Sequence, residues 1–100
     1  MARAGAHAVL ISNETMVPSL QSGDVVWAVP ARSYTSEGLY VFDRFGTPDV
    51  SRAEALGPDV IHVAKDAPGY LPHLMTRADF EAVVIGRVVA PSPLDARTGG

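Results

Sequence analysis

Proline limits this chain more than any other residue type. Pro18, Pro30, Pro48, Pro58, Pro68, Pro72, Pro91 and Pro93 cut it before a helical period can establish itself, because proline lacks the helix N–H and clashes with the preceding turn. Between them run AHAVLIS, DVVWAVP, GLYVFD, DVIHVA and AVVIGRVVA, each of strand length and rich in Val, Ile, Tyr, Phe or Trp. The pattern is all-β. Two stretches carry helix signals. In TRADFEA, Thr76 with Asp79 three residues on forms a capping box and predicts a single helical turn before the last strand. SRAEAL, residues 51–56, reads either as a helical turn or as strand followed by loop.

Several of the apolar runs have no polar face. Val25, Trp27 and Val29 alternate with Val26 and Ala28, and Val83 and Ile85 alternate with Val84. Such strands are covered on both sides, in a coiled, barrel-like or sandwich sheet or beneath a partner chain. SYTSEG in the middle and PSPLDARTGG at the end are linker-like. With 100 residues, 47% of them hydrophobic, one core is affordable and one domain is expected, spanning 1–92 with a flexible tail over 93–100.

Composition removes several classes of function. No cysteine is present, which excludes disulfides, thiolate metal sites and a cysteine nucleophile. The net charge is −3, and the eight Lys and Arg residues are scattered without a basic stripe, so direct binding to a phosphate backbone is not expected. His62 reads as a strand residue and His73 as a loop residue, with no metal-ligand spacing. No cofactor or metal is expected. No apolar run reaches the length of a signal peptide or a membrane span, and the chain reads as soluble, unsecreted and cytoplasmic. Asn13-Glu14-Thr15 is then not a working glycosylation sequon.

One stretch carries chemistry: NETMVPSLQSGD, residues 13–24. By its residues alone it is a loop entering a strand, with Pro18 fixing a turn and Gly23-Asp24 forming a tight one. Thr15-Met16-Val17-Pro18-Ser19-Leu20, followed by Gly23-Asp24-Val25-Val26, also resembles the C-terminal domain of the LexA-like family. That family includes LexA, UmuD and many phage repressors, with signal peptidases as more distant relatives. The resemblance continues through GLYVFD at 38–43, DAPGY at 66–70 and VIGRVVAP at 84–91, nearly the whole chain. It implies a strongly coiled, barrel-like or β-clip sheet with one or two short helical turns.

The resemblance also implies a serine–lysine dyad, and both members are missing. Thr15 stands in the nucleophile's place, and Ser51, in Val50-Ser51-Arg52, stands where the lysine is expected. A lysine base must lose its proton near neutral pH and reach the hydroxyl; Ser51 offers no basic nitrogen. Threonine catalysts use their own N-terminal amine, and Thr15 is not N-terminal. Lys65, the only lysine, ends a strand beside Asp66 and is expected to hold its ammonium in water. Ala4-Gly5 matches the bond at which family repressors cleave themselves, but it lies too close to Thr15 and reads as chance.

The expected function is therefore a non-cleaving association domain: a homodimer or higher homo-oligomer of a repressor. Operator DNA would be reached only through a helix-turn-helix domain not in this chain, and an antirepressor protein is a possible partner. If the last strand pairs across a two-fold axis, as the family's dimer implies, Val83, Val84, Ile85, Gly86, Arg87, Val88 and Val89 lie at or beside the seam; left as a bare edge, the strand would be an aggregation liability. The alternatives are an active autopeptidase using Thr15 with Lys65 or an external base, and a peptide-binding module that keeps only the cleft. Trp27, Tyr40, Phe42 and Phe45 are core or interface.

Overall fold

The computed structural model describes residues 5–90. It contains β1 (His7–Leu10), β2 (Val25–Pro30), β3 (Gly38–Arg44), β4 (Thr47–Gly57), β5 (Val60–Ala64), β6 (His73–Met75), α1 (Arg77–Val83) and β7 (Val84–Ala90). All strands join one antiparallel sheet in the order β1-β2-β7-β3-β4-β5-β6. The five apolar runs are β1, β2, β3, β5 and β7. Thr76 caps α1 as the sequence predicts, its side chain accepting from the Asp79 N–H at 3.0 Å. The helix is short but longer than the expected single turn. The tail over 93–100 and the Ala4 half of Ala4-Gly5 lie outside the described residues.

SRAEAL falls inside β4, so strand is the outcome there rather than helix. Pairing decides this against propensity: β3 holds one edge from Gly38↔Ala53 to Arg44↔Thr47, and β5 holds the other from Arg52↔Ala64 to Gly57↔Val60. Two occupied edges outweigh the weak strand preference of Ala and Glu. A two-residue turn, Phe45-Gly46, joins β3 to β4 with φ of 53° and 84°. These positive values suit the primed turns of a tight hairpin.

The sheet is open, so the barrel-like form expected from the sequence stops short of closure. β1 and β6 stand at its two ends, and closure would require those edges to pair. Instead each face is covered locally. On one face Val9, Ile11, Met16, Leu20, Val26, Ala28, Val41 and Val50 form a core under the loop that joins β1 to β2. On the other, Tyr40, Phe42, Ala53, Ile61, Val63 and Val84 pack with Phe80 of α1. Phe80 is fully buried and meets Tyr34, Tyr40 and Phe42 edge-on at 5.9, 5.2 and 5.4 Å. Tyr40 and Phe42 are thus core residues, Trp27 is half-buried, and Phe45 is fully exposed.

The last strand is interior. β7 pairs with β2 through Val29↔Arg87 and Pro30↔Gly86, and with β3 through Tyr40↔Arg87 and Val41↔Gly86. AVVIGRVVA is therefore not a bare edge, and two copies cannot be zipped through it where β2 and β3 already hold its backbone. An interface at Val83–Val89 has to use side chains, of which Ile85 is the exposed one. No described helix is long and apolar enough to cross a membrane.

Truncating Phe80 to Ala should remove the aromatic lid of the second core at a cost of about 3–5 kcal/mol. Urea titrations should show that loss, with Phe80→Leu recovering most of it.

Candidate functional site

The loop over residues 11–24 is built to present Thr15. Ile11 and Asp24 close its base, the Ile11 N–H donating to the Asp24 carbonyl at 2.8 Å, and Met16 and Leu20 anchor it in the first core. The Ala67 N–H donates to the Thr15 carbonyl at 3.0 Å. Thr15 is thereby held at the wall of a cleft of about 850 Å³ that also includes Ser51 and Lys65. All three residues singled out in the sequence come to one place.

Each is bonded elsewhere or not at all, and no hydrogen bond joins them. The Thr15 hydroxyl donates to Asn13 Oδ1 at 2.7 Å, and the Thr15 N–H donates to the same oxygen at 3.1 Å. The second bond identifies that atom as the amide oxygen, which is no base at neutral pH. Ser51 is buried, at 5% exposure, and neither it nor Lys65 is hydrogen-bonded to Thr15.

Lys65 corrects its own expectation. Its ammonium is not held in water beside Asp66; it lies at 2.8 Å from both Asp49 oxygens and at 2.8 Å from the Val50 carbonyl. The cause is register. Extending the pairing Arg52↔Ala64 by one step sets Lys65 opposite Ser51, and Asp49, two residues along β4, then lies on the same face. The side chains are 15% and 16% exposed. A lysine ammonium has three protons to donate, and here three acceptors take them. Arg44 approaches Asp49 more loosely, at 3.7 Å.

Asp66 has a different partner. Arg52 grips it with two hydrogen bonds, Nε to Oδ1 at 2.8 Å and Nη2 to Oδ2 at 2.7 Å, and the Ser19 hydroxyl also donates to Oδ2. The Arg52 hydrogen bonds hold the Asp66 carboxyl below its ordinary range; burial opposes this, and Ser19 and the Arg52 charge reinforce it. This three-residue lock joins the Thr15 loop, β4 and the turn after β5.

Asp49 and the Arg52–Asp66–Ser19 lock were not anticipated from sequence. No local signal gives this register: the Pro58-Asp59 turn pairs Gly57 with Val60, and a β-bulge between Ala55 and Gly57 then shifts the ladder by one residue before it reaches Arg52 and Ala64. His73 lines the cleft, while His62 is half-buried in β5. Among the described residues no His, Cys, Asp and Glu cluster suited to a metal ion is found. Comparison of the chain with protein-family models, curated proteins and solved structures returns no match, so the site's geometry carries the functional argument.

Two measurements check this electrostatic layout. Asp66→Asn should cost about 1–2 kcal/mol at pH 7, a value reduced by solvent screening because the Arg52 side chain is 39% exposed. Since the folded carboxyl is depressed, its contribution is present above the unfolded value near pH 4 and disappears as pH falls through the lower folded value. The gap between wild type and variant in denaturant melts should therefore close in acid. Asp49→Ala should cost about 2–3 kcal/mol by leaving a half-buried ammonium with one acceptor, and adding Lys65→Met should restore much of that stability.

Proposed function

We propose that this chain is a catalytically silent, LexA-like association domain that dimerises or further oligomerises a transcriptional regulator. One observation supports the silence above all: the ammonium best placed in the cleft is consumed by Asp49 and the Val50 carbonyl, while the Thr15 hydroxyl is spent on Asn13. The regulator's DNA-binding part would be a helix-turn-helix domain outside this chain. Joining two such heads at fixed spacing raises operator affinity through effective concentration, without a new base contact.

The association surface on this reading is the β1 edge and the sheet face beside it. Leu10 opposes Val25 and Ala8 opposes Trp27, so these four share a face, and Val29 continues it. Leu10 is 62% exposed and Ile85 43%. β1 carries no charged Asp, Glu, Lys or Arg and no proline, the usual guards of an edge strand. Because Ile11 donates towards Asp24, the alternation of a strand turns the backbone groups of Ala8 and Leu10 outward. A two-fold axis at Val9 would set Ala8 against Leu10 of the second copy, giving the self-complementary contact that such symmetry needs.

Sedimentation velocity over a wide concentration range tests this. The expected result is a reversible dimer or larger species. Leu10→Arg, at an exposed position, should weaken it about tenfold or more by burying an unpaired charge. Thr15→Ala should leave association unchanged, and intact mass should stay constant at neutral and alkaline pH. A strict monomer at high concentration overturns the association reading; cleavage that accelerates with pH overturns the catalytic silence.

A further inference from the structure

The cleft is larger than a spent active site needs, and its chemistry is unusual for a surface depression. Its walls include Phe42, Val63, Met75 and Val83, which also belong to the second core, and its mouth carries Phe45, Tyr70 and Leu71. Those three are 100%, 51% and 87% exposed. Apolar exposure concentrated around one concavity marks a binding surface. Phe45 sharpens the point, since a bulky residue at positive φ is disfavoured on backbone grounds. Folding of the chain alone gives no reason to place an aromatic ring there.

The polar end of the cleft is Ser51. The residue is 5% exposed, yet its hydroxyl has no hydrogen-bond partner among the described residues. No fully buried side-chain polar atom among them lacks a partner, so the Ser51 oxygen opens onto the cleft it lines. The charged side chains of the lining balance: Asp43 and Asp49 stand against Arg44 and Lys65, Lys65 closes on Asp49 and Arg44 lies 3.7 Å from the same carboxylate, so the cleft offers no net charge to an ion.

We propose that the cleft binds a small, neutral, amphipathic molecule, its apolar body lying between Phe45, Tyr70, Leu71 and Met75 and one hydroxyl or carbonyl group hydrogen-bonded to Ser51. The volume of about 850 Å³ falls in the range of small-molecule sites. An extended peptide fits less well. Strand addition needs a free edge of several residues, whereas the free edge at this end is β6, three residues long and preceded by Pro72, which has no N–H to offer. The inference rests on the cleft and not on the LexA-like reading, and a monomeric chain tests it equally well.

The experiment uses the 100-residue chain and the neutral fluorophore N-phenyl-1-naphthylamine. Saturable enhancement at one site is expected, with displacement by decan-1-ol about tenfold better than by decanoate or decylammonium, because each ion forfeits its hydration or disrupts the Lys65–Asp49 pair. Ser51→Ala should weaken the alcohol about three- to tenfold, the worth of one hydrogen bond, while leaving the fluorophore's own affinity unchanged. Leu71→Asp, at an exposed site where folding is not at stake, should weaken both. Absence of saturable enhancement, equal displacement by the charged probes, or an alcohol indifferent to Ser51→Ala overturns the proposal. So does displacement by an apolar hexapeptide where decan-1-ol fails, which would give the cleft to a peptide.

Discussion

The insertion of β7 between β2 and β3 is the constraint on which the rest of the structure depends. β2 and β3 follow one another in sequence but do not pair; the last strand separates them and bonds to both. Without it the β1–β2 hairpin would have no place in the sheet. Gly86 sits where β7 passes between its neighbours, and a Cβ there would lie 3.1 Å from the Val29 carbonyl oxygen, tighter than packed atoms tolerate without a shift. One residue on, Arg87 lies over the Tyr40 ring and donates to the Tyr40 hydroxyl, to the Ser36 carbonyl at 2.8 Å and to the Glu37 carbonyl at 3.2 Å. The connection that must arch from β2 to β3 is thereby tied to the strand it spans. Burial pushes the Tyr40 phenol up, but hydrogen bonds from Thr35 and Ser36 and the Arg87 charge outweigh it and bring it below its ordinary value.

That arrangement also divides the hydrophobic core. An interior β7 gives the sheet two faces to cover with few elements, and the chain uses the Thr15 loop on one and α1 on the other. The short α1, seven residues long, covers the second face around Phe80 and stops. Beyond it the apolar surface continues into the cleft at one end, and across Trp27, Val29 and Leu10 at the other. The two exposed apolar regions are thus consequences of one economy, a sheet wider than its single helix.

How much of this was legible in the sequence follows from where the information sits. Five strands and the Thr76 cap were readable because period-two apolarity and a capping side chain act over a few residues. β4 was not, since Pro48, Glu54 and three alanines or glycines near its end dilute the pattern, and two neighbours far along the chain supply its stability. Strand order was hidden for the same reason: nothing within AVVIGRVVA distinguishes an interior strand from an edge. At the site, the resemblance set Thr15 and Ser51 together and both line the cleft, whereas Lys65, expected in water, lines it as well. The partner of Lys65 was misjudged, because adjacency in sequence favoured Asp66 whereas strand alternation turns neighbours to opposite sides and delivers Asp49.

The same alternation links the missing dyad to the cleft. On the LexA-like reading, position 51 is where a lysine would project from β4 into the site. A serine there withdraws the length of a four-carbon stem and leaves a hydroxyl at the end of the space it vacates. Lys65 returns an ammonium to that region from the neighbouring strand, yet it arrives directly across from Ser51 and within reach of Asp49. On that reading, Ser51 in the lysine's place would remove the base and leave volume beside its hydroxyl, while Lys65 pairs with Asp49 across the strands. On the same reading, and with the ligand proposed for the cleft, loss of cleavage and room for a neutral molecule would be two effects of the same change.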